Sequence, residues 1–266
     1  MKFSRRILGA ALLLLSLPAA AAAATPAANV TLLTGRGTAS SAESGVRALA
    51  KGDAVYSGEM VHSSANSYVD LKFSDGGYFL LRPNSRFQVV DFANHSGTVE
   101  PPPPQPQPAA PATPPAAAAP APVAPLAAAQ ADTQSGVSRA FFSLLKGGFR
   151  SISGAIGKIN HDEYQVATPV ATIGIRGTDY LVVICDATCA TDPQIAAVLP
   201  PGINPLGGIV ATVYAHSIVV DDAGGSVTLL EGQYLLVLPD GTNILLPLEP
   251  LFLQMDPTPN PATCAG

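Results

Sequence analysis

Tryptophan is absent from this 266-residue chain, and aromatic residues make up only 6% of it. Sugar-binding surfaces stack rings on aromatic platforms, so the composition speaks against a cell-wall or polysaccharide binder, which stands only as an alternative. Charged residues are scarce, at 12%, and the 14 Lys+Arg are dispersed among 19 Asp+Glu for a net charge of −5. A nucleic-acid partner needs a basic patch and is excluded. The Glu/Lys-laden composition of a bundle or coiled coil is missing as well. Beyond the N-terminus no apolar run suits a membrane span. Tyr180 to Ile184 is too short, and Ile209 to Val220 is short and carries His216.

Catalytic signatures are equally sparse. The four histidines, at 62, 95, 161 and 216, form no i,i+4 pair. His161-Asp162-Glu163 places three adjacent side chains in different directions, which does not make a metal site. Gly154-Ala-Ile-Gly157-Lys158 lacks the first glycine of a phosphate loop and has Ile159 where a hydroxyl must meet magnesium. There is no Gly-x-Ser-x-Gly elbow. The expectation is a chain with no catalytic residues, metal or cofactor, an unrecognised hydrolase being the remaining alternative.

What is present begins with an export signal. Lys2, Arg5 and Arg6 precede an apolar run from Ile7 to Leu17, then Pro18 and the small residues Ala19 to Ala24. Cleavage near Ala24 is expected, the alternative being an uncleaved anchor. Losing residues 1–24 removes three of the 14 basic residues, leaving 11 against 19 acidic ones and a net charge of −8. The mature chain is then acidic and periplasmic or secreted, where disulfides are permitted. Cys185 and Cys189 can pair across a small loop, leaving Cys264. Free thiols or a metal are the alternatives, and spacing does not decide among the pairings.

Residues 101–130 carry twelve prolines and no charge, the pattern of an extended, disordered spacer. They divide an apolar-rich chain, 47% hydrophobic, into residues 25–100 and 131–246, with a Pro-rich tail over 247–266. Both parts read as short strands. Val69, Leu71 and Phe73 alternate with Asp70 and Lys72, and Asp75-Gly76-Gly77 supplies a turn before Tyr78 to Leu81. Phe87 to Phe92, Phe149 to Ile152, Tyr164 to Ala167, Tyr180 to Ile184, Ile209 to Val220, Val227 to Leu230, Tyr234 to Leu238 and Asn243 to Leu246 continue the series. Leu199 to Gly208 reads as a surface loop, and Arg139 to Leu145 fits a helix as well as a strand. Asp75-Gly76-Gly77-Tyr78-Phe79-Leu80-Leu81 is echoed by Asp240-Gly241-Thr242-Asn243-Ile244-Leu245-Leu246, suggesting repeated hairpins or solenoid-like turns. The fold class is all-β, a solenoid- or sandwich-like module.

One stretch stands out, Thr168-Pro169-Val170-Ala171-Thr172-Ile173-Gly174-Ile175-Arg176-Gly177-Thr178. Pro169 keeps its predecessor extended. Gly174 and Gly177 flank Arg176, permitting a turn or close packing. Arg176 is read first as an internal clamp donating to carbonyls or a carboxylate between strands, and second as a recognition residue for an anionic ligand or partner.

These segments resemble, in order, the FecR domain of bacterial envelope proteins. The resemblance rests on Gly52-Asp53-Ala54-Val55-Tyr56-Ser57-Gly58-Glu59, on Ser67 to Gly76 ending in Asp75-Gly76, on Leu81-Arg82-Pro83-Asn84-Ser85, on Leu144 to Arg150, and on Thr168 to Thr178. It covers roughly Gly35 to Ile184. It implies an all-β extracytoplasmic module, with Gly52, Asp53, Gly58, Asp75, Gly76, Pro169, Gly174, Gly177 and Thr178 as structural motif residues. The best-known members relay signals from an outer-membrane receptor to a sigma factor through a transmembrane helix. Only six residues precede the apolar run here, so the expectation is a stand-alone exported domain. Its expected role is non-catalytic binding or sensing, docked to an envelope protein.

Overall fold

The computed structural model describes residues 25–95 and 137–264; the stretches read above as an export signal, 1–24, and as a spacer, 101–130, lie outside the described residues. The chain winds between two facing sheets, A and B, usually leaving one antiparallel hairpin in each before crossing. It enters A as β1 (Ala28–Thr34), makes β2 (Gly37–Ser41) and β3 (Gly45–Ala48) in B, and returns for β4 (Ala54–Val55). β5 (Met60–Ser63) lies in B, β6 (Tyr68–Phe73) and β7 (Tyr78–Leu81) in A. β8 (Arg86–Ala93) and β9 (Arg139–Lys146) follow in B, then β10 (Gly148–Ile152) in A. After the short helix α1 (Ala155–Ile159), β11 (Tyr164–Ala167) and β12 (Ala171–Ile175) lie in B, β13 (Asp179–Ile184) and β14 (Ile209–Ala215) in A. β15 (Ser217–Asp222) and β16 (Gly225–Leu230) close B, and β17 (Tyr234–Val237) and β18 (Asn243–Leu246) close A.

Among the described residues each sheet has nine strands and open edges: β18-β17-β14-β13-β10-β7-β6-β1-β4 in A, β16-β15-β12-β11-β9-β8-β5-β2-β3 in B. The molecule is all-β, a sandwich wound hairpin by hairpin. β9 meets β11 in parallel, whereas the other pairings are antiparallel. Inward residues alternate along the strands and pack an aromatic centre. Phe142 lies 4.7 Å from Phe79, 5.1 Å from Phe73, 5.5 Å from Phe87 and 5.6 Å from Tyr164, centroid to centroid. This settles the Arg139 to Leu145 ambiguity. Ala140, Phe142 and Leu144 are buried while their neighbours are more exposed, a period of two that a helix could not give.

Crossing between sheets demands a sharp change of direction, and most crossings carry one residue with positive φ. Gly35, Asn84, Gly147, Gly177, His216 and Gly232 occupy these corners. His216 corrects the reading of Ile209 to Val220 as one strand. With φ 69 it splits the run into β14 and β15, which belong to different sheets. The echoed hairpins share one turn. Phe73 donates its amide to the Gly77 carbonyl and accepts from Gly76; Leu238 does the same with Thr242 and Gly241. Asp75 and Asp240 each accept the amide two residues on.

A second core lies on the outer side of sheet A, where Leu181, Val183, Val210 and Leu236 meet α2 (Ala187–Ala190), α3 (Pro193–Ala196) and α4 (Leu251–Met255). Cys185 and Cys189 are joined by a disulfide within it. Asp192 ties these helices together, capping α3 at Gln194 and accepting the Phe252 amide at 2.8 Å. The Pro-rich end is therefore not a free tail over its described residues. Phe252 and Leu253 are buried, and the following segment crosses sheet A as a strap. The cause lies in two outward-facing arginines that need acceptors, which a segment rich in proline offers as free carbonyls. Arg82 donates to the Asp256 carbonyl and carboxylate and to the Thr258 hydroxyl, and Arg150 donates to the Thr258 carbonyl.

Candidate functional site

The motif residues divide into those that build corners and turns and those that stand free. Gly52, with φ 95, donates its amide to Val30, and the Asp53 carboxylate accepts the Ala50 amide, so this turn lays β4 against β1. Gly58 turns the chain toward β5. The neighbouring Glu59 is buried and takes Arg47 at 2.8 and 3.0 Å. Asp75 and Gly76 form the β6–β7 turn. Asp75 also accepts the Ile156 amide at 3.3 Å at the start of α1, and burial raises its carboxyl pKa. Pro169 is exposed in the β11–β12 turn, which Thr168 closes by bonding Ala171. Thr178 is buried; its hydroxyl donates to the Ser217 carbonyl at 2.6 Å and accepts the Arg176 amide at 3.2 Å, locking one corner to the next.

Arg176 itself overturns the clamp reading. It is exposed, and among the described residues its guanidinium has no hydrogen bond or ion pair. The positive φ of Gly177 turns the chain away immediately after it, leaving the side chain outside the sheet. Gly174 is a second correction. A side chain there would meet nothing within 4 Å, so close packing is not what selects glycine.

The absence of a side chain at Gly174 instead opens a cleft of about 260 Å³ on the outer face of sheet B. Register places Gly174 between Gln165 of β11 and Val219 of β15, and Thr172 beside Asp221. Arg176, His161 and Asp162 complete the lining. Donors and carboxylates thus surround a floor of bare backbone, and the side chains of Arg176 and Asp221 have no bonded partner among the described residues. Such a cleft can hold a polar segment by hydrogen bonds and charge. Among the described residues no group of three or more His, Cys, Asp or Glu stands together as a metal site.

Sequence reasoning missed the arginines that do clamp. Arg150 forms a bidentate pair with Asp179 at 2.8 and 2.9 Å and lies 4.0 Å from the centre of the Tyr214 ring. Both Arg82 and Arg150 fell inside the FecR-like segments, but no spacing rule linked them to Asp256 or Thr258. A second cleft, of about 240 Å³, runs beside Arg82, Lys146, Phe252 and Asp256. Its arginine and aspartate already hold each other.

No family model matches the chain, and no curated protein matches it. Two crystal structures of a candidate anti-sigma factor from Parabacteroides distasonis ATCC 8503, at 2.50 and 1.65 Å resolution, align with it at 9% identity and a TM-score of 0.39. Each alignment covers 70% of this chain and 58% of the other, so the chain spans little more than half the length of that protein. A likeness at this level carries no argument. Among the described residues no helix is long and apolar enough to cross a membrane.

Proposed function

We propose that the chain is a non-catalytic, FecR-like binding module of the bacterial envelope, periplasmic or secreted, which docks a segment of an envelope protein in the cleft over Gly174. The observation that carries this reading is Arg176, a free guanidinium at the rim of a cleft that the sequence leaves open. An arginine with no structural bond, beside a glycine with no packing constraint, fits recognition better than stability. The export-type leader and the ordered FecR-like motifs support the compartment and class.

The test is photo-crosslinking in cells from a probe placed at Gln165, with a second probe at exposed Lys51 as control. A discrete protein adduct from position 165 alone supports the reading. Glycan adducts, or identical adducts from both positions, contradict it.

A further inference from the structure

Asp70 projects from β6 toward the outer side of sheet A, opposite to the core residues Val69 and Leu71, yet it is fully buried. One carboxylate oxygen accepts the Thr31 hydroxyl at 2.6 Å, from the bulge in β1; the other, Oδ1, has no hydrogen-bond partner. Leu80, its cross-strand neighbour on β7, is buried on the same side. The strap reaches this face beside Asp70. Tyr68 donates its hydroxyl to the Asp256 carboxylate at 2.9 Å, Arg82 grips the same carboxylate at 2.8 Å, and α5 (Pro261–Cys264) sits against β7 and β10.

The charged groups around Asp70 are already committed. Arg82 holds Asp256, Arg150 holds Asp179, and Lys72 lies 5.3 Å from the centre of the Tyr78 ring. Ahead of α4, Glu249 acts on Tyr214 and Tyr234. A buried carboxylate without a cation favours its neutral form. Burial raises the Asp70 pKa to about 6, the Thr31 hydroxyl opposing part of that rise.

We propose that the strap from Asp256 to Cys264 is a proton-gated lid, latched on sheet A while Asp70 is neutral and released when Asp70 ionises. Closed, the lid keeps Asp70 dry; open, water solvates the carboxylate. The closed state therefore binds the proton more tightly, and acid favours closure. Opening gains as pH rises from the ordinary carboxylate value of 3.8 to about 6, and gains nothing further above it. Across that window the open-to-closed ratio changes on the order of 100-fold. Ionised Asp70 also competes for Arg82, which sits diagonally across the β6–β7 pair within reach of a long side chain.

Hydrogen exchange on the full chain, resolved by NMR at the lid amides of Ala262 and Thr263, which bond Asn260, tests the lid. The helix α4, anchored by Asp192, serves as reference. Corrected for intrinsic rates, lid protection falls on the order of 100-fold between pH 4 and pH 7.5 in the wild type, and α4 protection does not. Asp70→Asn keeps the lid protected at both pH values. Thr31→Val, which removes the donor to the ionised form, moves the midpoint of release to higher pH. Protection that ignores pH, or an unchanged pH dependence in Asp70→Asn, overturns the proposal. Should Asp70→Asn fail to fold, an unmoved midpoint in Thr31→Val overturns it.

Discussion

The Ser85 hydroxyl accepts the Gly148 amide at 2.9 Å and donates to the Gly148 carbonyl at 2.8 Å, so one buried side chain binds both backbone groups of the residue beginning β10. This joins the β7–β8 corner to the β9–β10 corner. Ser63 extends the link by donating to the Arg82 carbonyl at 2.5 Å and accepting the Ser85 amide at 2.9 Å. Gly147 fits beside Ser85 because a Cβ there would collide with it. Ser85→Ala orphans the buried Gly148 amide, while the Gly148 carbonyl keeps the Arg82 amide at 2.9 Å, and is expected to lower stability by about 1–3 kcal/mol, measured by denaturant unfolding. A shift within error would show that the corners do not depend on this hydroxyl.

The aromatic centre predicts a larger loss. Phe142 is 2% exposed and touches rings from both sheets. Phe142→Ala should cost about 3–5 kcal/mol, seen as a large drop in Tm. A drop no larger than that of a surface substitution would contradict the packing described.

Two arginines separate structure from recognition. Arg150→Lys loses a two-point grip on a mostly buried carboxylate and should lower stability by roughly 1.5–3 kcal/mol. Arg176→Lys should leave stability within about 0.5 kcal/mol of wild type, because its side chain supports nothing. A marked fall in Tm for Arg176→Lys would restore the clamp reading.

The proline-rich segment interrupts a hairpin whose two strands hold each other without it. Ala93 pairs with Arg139, and the His95 amide bonds the Ser138 hydroxyl at 2.9 Å. Deleting 101–130 should preserve the β-type circular dichroism and raise stability by roughly 1 kcal/mol, since the connection becomes about threefold shorter. Aggregation of the deletion variant would contradict this.

Sequence reasoning found the strands that alternate cleanly, such as Leu71-Lys72-Phe73, because period-two burial is written directly in residue order. It merged β14 with β15 because His216 carries no mark of the left-handed backbone it adopts, unlike the corner glycines. It favoured the wrong arginine as the clamp, since Arg176 has glycines beside it while Arg82 and Arg150 find their acceptors more than a hundred residues away in the strap. Gly174 and Arg176 were visible as unusual, but only the register of three strands shows that together they border a cleft.

That cleft is the central claim, and filling it tests the claim most directly. Gly174 lies on a strand, with open space where a side chain would go. Gly174→Val should therefore leave Tm unchanged or slightly raised while abolishing the protein adduct captured from position 165. Retention of the adduct in a fully folded Gly174→Val variant would show that the partner docks elsewhere.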